Sequence, residues 1–365
     1  MDNIGTFMAT AAMRDYSKSW QIPGKMPWLF QQSKPPIEKR PICVKDNYIR
    51  CVKGEQPYWM PAYSFESNTV WPDAIEEHPI PEVDGYDWWG VDWQMVDDIG
   101  GMITRSGTRV ISDFEKWKED VEWPDLSLVD FEADGAKIQK FYDPERPHIY
   151  ESVEGITERL HEMMPFDEFL LAFYENPELL KDFFDKMSDY KIECCEKILK
   201  YYGRIDGVLY HDDWGTQRSG FFSNDMFHEQ IVPPTKHLFD FIKKQGIFIE
   251  LHSCGKNIQY VPEMLAMGVD MWTPQLDINE PDFLHTTYGK DMTFTFHIHL
   301  KKDWNEKKIR KTIRDFVDRF GENGRIMCWI MPEDMGENGQ KQENIARDEL
   351  YQYSLKYYNK LYNRA

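Results

Sequence analysis

The sequence lacks most of what would tie it to a membrane, to nucleic acid or to a secreted disulfide framework. No apolar run approaches the roughly 20 residues that span a bilayer, and Met1-Asp2-Asn3 does not open a signal peptide. A soluble, cytoplasmic protein is therefore expected. Cations are in deficit: 43 Lys plus Arg stand against 63 Asp plus Glu, a net charge of −20. Phosphate backbones and anionic lipid surfaces are gripped by clustered cations, so neither nucleic acid nor a membrane is an expected partner. The six cysteines (Cys43, Cys51, Cys194, Cys195, Cys254 and Cys328) are scattered through 365 residues. That is too sparse for a disulfide framework, and most of them are expected to be small buried apolar side chains. Gly-rich phosphate or dinucleotide loops are missing, and so is a G-x-S-x-G nucleophile elbow.

Rings, by contrast, are plentiful: 13 Trp, 19 Tyr and 22 Phe. They are dense in the first hundred residues, as in Tyr86-Asp87-Trp88-Trp89-Gly90-Val91-Asp92-Trp93. Such density suits a packed cap or a wall for a flat ligand. The acidic stretch from Asp73 to Glu82 reads as a solvated loop, and Met163, Met164 and Met187 as core.

From about residue 177 a rhythm sets in. Asn176-Pro177 opens a helix that runs to Tyr202, with Leu179, Leu180, Phe183, Met187, Tyr190, Cys194 and Ile198 on one buried stripe. Strands are expected at 207–210, 247–252, 269–272, 292–299 and 325–330, each followed by a helix. Five consecutive strand–helix units imply parallel strands. Without a nucleotide loop to favour an open sheet, the expected fold is a single (β/α)8 TIM-type barrel. Residues 1 to about 100 form an irregular, aromatic-rich N-terminal extension, expected to cap the barrel mouth as part of the same domain.

Barrel enzymes carry their reacting groups at the C-terminal ends of strands. Those ends supply His211-Asp212-Asp213-Trp214, His252-Ser253-Cys254-Gly255, Trp272-Thr273-Pro274-Gln275, His297-Ile298-His299 and Cys328-Trp329. Strand alternation puts Phe248, Glu250, His252 and Cys254 on one face, and Thr293, Thr295, His297 and His299 on another. Inward polar rows are costly unless paired or bound to something. His252-x-Cys254 offers an imidazole and a thiolate about 7 Å apart along the strand, which suits two corners of a zinc site. The competing reading is a hydrogen-bonded barrel histidine beside a buried cysteine. Cys328 is a candidate third ligand. His211 and Asp213, with His299 as the alternative, are the candidate acid–base groups. Trp214, Gln217, Trp272, Gln275 and Trp89 are the candidate substrate contacts.

These residues carry a resemblance. His252-Ser253-Cys254-Gly255, Asp212-Asp213-Trp214-Gly215-Thr216-Gln217, Gly268-Val269-Asp270 and Gln342-Glu343-Asn344-Ile345 resemble signatures of the uroporphyrinogen decarboxylase-like superfamily, as do Asn47 to Pro57 and Trp89 to Trp93. The likeness runs from about residue 40 and implies a (β/α)8 barrel. The decarboxylase branch has an Arg-rich N-terminal motif that is missing here. The methyltransferase branch holds zinc with H-x-C and a later cysteine, and Cys328 sits about two residues before that position. The "DDWGTQ…HSCG" form is similar to corrinoid-dependent enzymes that demethylate methyl ethers, often methoxylated aromatics. The resemblance therefore implies zinc, a small methyl donor and a transient partner that carries the corrinoid, since no D-x-H-x-x-G cobalamin pattern occurs. The alternatives are methyl transfer from methylcobamide to a thiol, or a porphyrinogen decarboxylase. A homodimer is compatible with the sequence.

Overall fold

In the computed structural model, which describes residues 37, 39–75, 77, 84–96, 101–334 and 336–364, the chain opens with helix α1 (Val44–Lys53) and strand β1 (Asn68–Val70). Short strands β2 (Gly85–Tyr86), β3 (Asp92–Val96) and β4 (Gly101–Thr104) follow, then helices α2 (Trp117–Asp120) and α3 (Phe131–Ile138). Strand β5 (His148–Ser152) leads into α4 (Ile156–Met163), α5 (Phe166–Glu175) and α6 (Pro177–Tyr201). Next come β6 (Gly207–His211), α7 (Asn224–Met226), a π-helical turn (Phe227–Ile231) and α8 (Val232–Lys244). The chain ends with β7 (Phe248–Ser253), α9 (Val261–Met267), β8 (Met271–Pro274), α10 (Pro281–Tyr288), β9 (Thr293–Leu300), α11 (Glu306–Phe320), β10 (Ile326–Pro332) and α12 (Glu337–Leu361).

Local sequence explains the elements. In α11, Ile309, Ile313, Phe316, Val317 and Phe320 recur at helical spacing, and Asn305 caps the start by accepting from the Lys308 N–H at 3.0 Å. The buried stripe packs on β9, where Phe296 meets Phe320 edge-on at 5.1 Å. Burying such side chains stabilises the fold by roughly 1.5–3 kcal/mol each. The π-helical turn directly precedes Val232-Pro233-Pro234, where two missing N–H groups interrupt the α-helical ladder.

Strands β1 and β5 to β10 form a seven-stranded, all-parallel sheet in the order β1-β5-β6-β7-β8-β9-β10. Among the described residues this is seven strands, one fewer than the expected barrel. The sheet curls until one stretch of chain touches both edges. Ala62 makes a parallel bridge to Cys328 on β10, and six residues later Asn68 pairs with His148 on β5. The fold is compatible with a TIM-type barrel.

The interior is layered by the strand period of two. At the N-terminal end of the strands, Ile149, Phe248, Met271 and Met327 cluster with Tyr48, Cys51 and Val52 of α1. Arg325, just before β10, donates to the Val52 and Lys53 carbonyls at the C-terminal end of that helix. So α1 plugs the end of the barrel opposite the mouth, and this part of the N-terminal extension is no lid over the site. Residues 1–36, also part of the expected cap, lie outside the described residues.

Strands β2, β3 and β4 form a separate antiparallel sheet on the outside. Its aromatic residues pack against α6: the Trp89 ring lies 5.0 Å from Tyr190 and 5.2 Å from Trp123. Glu77, expected in a solvated loop, is buried, with its carboxylate on Arg159 and Lys191 at 3.0 and 2.9 Å. Glu76 and residues 78–82 of the same stretch lie outside the described residues.

Candidate active site at the mouth of the barrel

The strand register builds the site. His211 and His252 form the last pair between β6 and β7, directly opposite one another, and their rings stack with centroids 4.8 Å apart. Beyond each strand the chain adds one more group on the same face, Asp213 and Cys254. Potential ligand atoms of His211, Asp213, His252 and Cys254 all lie within 4.8 Å of one another.

The turn after β6 is fixed from beneath by Asp212. Its buried carboxylate accepts the N–H groups of Thr157 and Glu158 at 3.2 and 2.9 Å, the Thr157 hydroxyl, and the Tyr210 hydroxyl at 2.9 Å. The first turn of α4 is thereby tied to the mouth end of β6. A Cβ on Gly155 would meet the Asp212 Cβ at 2.3 Å, so this close approach requires glycine. The result is that Glu158, one turn into α4, reaches His211 Nδ1 at 2.9 Å.

Asp213 turns the other way and accepts the Cys254 N–H at 2.5 Å. After Cys254, Gly255 takes φ +90°, and a Cβ there would lie 2.2 Å from the Gly215 carbonyl oxygen. His252 Nδ1 lies 2.9 Å from the Thr273 carbonyl. A carbonyl only accepts, so Nδ1 carries the proton and Nε2 keeps its lone pair. That Nε2 is 3.4 Å from Cys254 Sγ. Two corners of a tetrahedral zinc site, with bonds of roughly 2.0–2.3 Å, stand about 3.5 Å apart. The donor set therefore fits zinc: a free imidazole nitrogen, a thiol, and a carboxylate or second imidazole within reach.

Electrostatics separates the two histidines. Burial and the neighbouring His211 push His252 down to about 4. Burial also opposes charge on His211, but the Glu158 carboxylate, Cys254 and Asp213 outweigh it and hold His211 well above its ordinary value. Burial also opposes charge on Glu158, while the neighbouring His211 favours it. Burial raises the Cys254 thiol, partly offset by His211.

Other expected site residues lie elsewhere. Cys328 does not join the group: Met327 and Trp329 point to the interior, so Cys328 between them faces the helix layer, fully buried. Trp272 likewise faces outward onto Phe294, 6.3 Å away. Trp214 is fully buried between Phe227 and Tyr260. Trp89 is buried behind α4 and α6, with its indole on Glu77. These tryptophans support the frame and do not line the mouth. His299 is exposed at the end of β9, 4.7 Å from His297 and outside the four-residue group. Gln217 and Gln275 do meet, through reciprocal amide hydrogen bonds of 2.9 and 3.0 Å across the loops after β6 and β8. Gln275 also accepts the Gly255 N–H at 3.0 Å.

Sequence reasoning missed Glu158, which lies 53 residues before His211. A signal was present: Glu154, Glu158 and Glu162 recur every four residues, a spacing that gathers three acids on one side of a helix, and all three are buried.

Residues 133–279 match the uroporphyrinogen decarboxylase (URO-D) family. That stretch contains β5 to β8 and the whole His/Asp/Cys group. No curated protein matches the chain by sequence. Among solved structures, a methyltransferase from Methanosarcina mazei is similar, with a TM-score of 0.57 and 10% identity over 85% of this chain and 98% of that one. A dihydropteroate synthase from Burkholderia cenocepacia, complexed with 7,8-dihydropteroate, overlaps 39% of this chain and 53% of that one, at 11% identity and a TM-score of 0.28. The first likeness is one of fold, and the second carries no argument.

Proposed function

We propose that this chain is a corrinoid-dependent methyltransferase that takes the methyl group of a methyl ether, a methoxylated aromatic, and passes it to Co(I) of a separate corrinoid protein. The observation that carries this reading is the convergence of His211, Asp213, His252 and Cys254 at the mouth ends of two adjacent strands. The URO-D match across that region and the methyltransferase-like fold support it.

His252 Nε2 and Cys254 Sγ would hold zinc, with Asp213 completing the set. Bound there, zinc would supply a Lewis acid for the leaving ether oxygen. His211, held in its protonated form by Glu158, stands beside that position and can give a proton to the departing oxygen from Nε2. Glu158 fixes which nitrogen faces the site. The partner must bring its corrinoid to the open mouth of the barrel, since the other end is plugged by α1.

The test is a substrate screen with a reduced corrinoid protein, combined with elemental analysis. Transfer from a methoxyarene, with zinc near one per chain, is expected. Transfer only from methylcobamide to a thiol would reverse the direction of the reaction, and release of CO2 from uroporphyrinogen would replace the reading altogether.

A further inference from the structure

Between the apolar plug and the His211–His252 level, the barrel interior has a middle layer that the proposed chemistry does not use. It is reached by stepping two residues down each strand from the mouth. On β7 the face runs His252, Glu250, Phe248, and on β5 Glu151 stands two residues above Ile149. On β9 the interior face is set by Thr293, whose hydroxyl donates to the Cys51 and Val52 carbonyls of the plug. Thr295 and His297 follow on that same face.

This layer is polar and incompletely paired. Glu250 Oε1 accepts from the hydroxyls of Tyr63 and Thr273 at 2.5 and 2.6 Å. Its Oε2 is buried and has no hydrogen-bond partner among the described residues, and the same holds for Thr295 Oγ1 and His297 Nε2. Glu250 is 0% and Thr295 1% exposed. A buried carboxylate oxygen without a donor costs on the order of 1–3 kcal/mol or more, so this layer holds hydrogen-bonding capacity that a ligand group would satisfy. Flat walls stand beside it: Tyr63 lies 5.4 Å from Trp329. Both rings keep partial exposure, as do Glu151 and His297, while their outward neighbours Phe296 and Ile330 are buried. Solvent thus reaches the residues around Glu250, while Glu250 and Thr295 themselves are closed off beneath them.

We propose that the middle layer is a recognition subsite for an O–H or N–H donor carried on the ring of the substrate, read by Glu250 Oε2 with Thr295 and His297 alongside. It deepens the reading of the mouth as a methyl-transfer site and rests on that reading. Glu250 lies two residues below His252 on the same face, about 7 Å along the strand. A flat substrate with its methyl ether at the mouth therefore points its far substituent at Glu250. Among the described residues no Lys or Arg pairs with Glu250, so an acidic substituent is disfavoured and a hydroxyl or ammonium group is selected.

The test uses small ring fragments that need no methyl chemistry: phenol, benzylammonium and toluene, titrated by calorimetry into the wild-type protein and into Glu250→Gln and Thr295→Val. The wild type is expected to bind phenol or benzylammonium about tenfold or more tighter than toluene, the worth of one hydrogen bond to a charged group. The stronger of the two tells hydroxyl from ammonium. In Glu250→Gln the preference should collapse, and in Thr295→Val it should fall several-fold, with melting temperature and metal content near wild type. Equal binding of all three fragments by the wild type, or a preference unchanged in Glu250→Gln, overturns the subsite. Loss of methoxyarene turnover with the fragment preference intact would instead indict the methyl-transfer reading.

Discussion

His211 and His252 lie face to face, with ring centroids 4.8 Å apart and planes 14° from parallel. Their strands pair them directly, so the contact is a property of the sheet register and not of loop conformation. Two imidazolium ions at that distance would repel in a partly desolvated place, and the surroundings resolve the conflict. Burial and His211 keep His252 neutral, Thr273 fixes its proton on Nδ1 so that Nε2 is free, and Glu158 favours the proton on His211. One ring thus presents a free lone pair at the mouth and the other an N–H.

The first prediction concerns metal. His252→Ala with Cys254→Ala should abolish stoichiometric zinc, because it removes both donors that stand at ligand spacing. Cys328→Ala should leave zinc unchanged, because that thiol faces the helices. Elemental analysis after dialysis reads both. Equal metal content in the double variant and the wild type would reject the site, and loss of metal in Cys328→Ala alone would reinstate the late cysteine.

Glu158→Gln keeps the shape of the side chain but removes the carboxylate that orients His211. Outer partners of this kind are worth roughly 10–100-fold in metal affinity or activity. A fall in kcat and kcat/KM together, with zinc retained, is expected from a group that acts in the transition state. Unchanged turnover would remove His211 from the reaction.

Much of this was legible in the sequence, for reasons that differ by residue. The helices from Pro177 onward show their apolar stripes openly, and the H-x-C pair shares a face because a strand alternates strictly. Cys328 was misplaced because β10 runs on to Pro332: the thiol sits early in the strand, not at its mouth end, and its parity turns it to the helices. Trp214, Trp272 and Trp89 were read as ligand walls because rings serve cores and pockets alike, and only packing tells which. Glu77 looked solvated because its partners, Arg159 and Lys191, are 82 and 114 residues away. Glu158 was hidden on a helix, positioned by an Asp212 cap that local patterns do not reveal.

Stability should depend on pH through Glu66. Burial pushes this carboxyl from 4.5 up to about 7, although the Trp59 indole donates to both oxygens and resists the shift. Because the folded pKa is the higher one, the native state holds a proton that the unfolded chain releases between those values. Stability therefore falls as pH rises from about 4.5 to 7, and the full penalty stands above that window. The 2.5-unit difference corresponds to about 3 kcal/mol. Glu66→Gln should flatten this part of the profile, read as the difference in urea midpoint between wild type and variant at pH 5 and pH 8. Parallel profiles would show that Glu66 is ionised in the native state.

Arg159 carries the last prediction. Its guanidinium is fully buried and meets Asp87 at 2.7 Å, Glu77 at 3.0 Å and Glu162 at 3.2 Å. It thus joins α4 to the segment at Glu77 and to the Asp87 turn between β2 and β3. Asp87 in turn accepts from the Trp93 indole and from the N–H groups of Trp89 and Val91. Arg159→Ala would leave three carboxylates facing one another without this cation, although Lys191 still holds one oxygen of Glu77. Breaking one side of a buried ion pair typically costs about 3–5 kcal/mol, because the stranded charge stays desolvated. The loss should shrink in an Arg159→Met, Asp87→Asn double variant, which removes charge from both sides and keeps apolar volume. Urea denaturation of both variants reads the difference. If Arg159→Ala unfolds at the wild-type midpoint, the carboxylates are already protonated and the network contributes packing rather than charge.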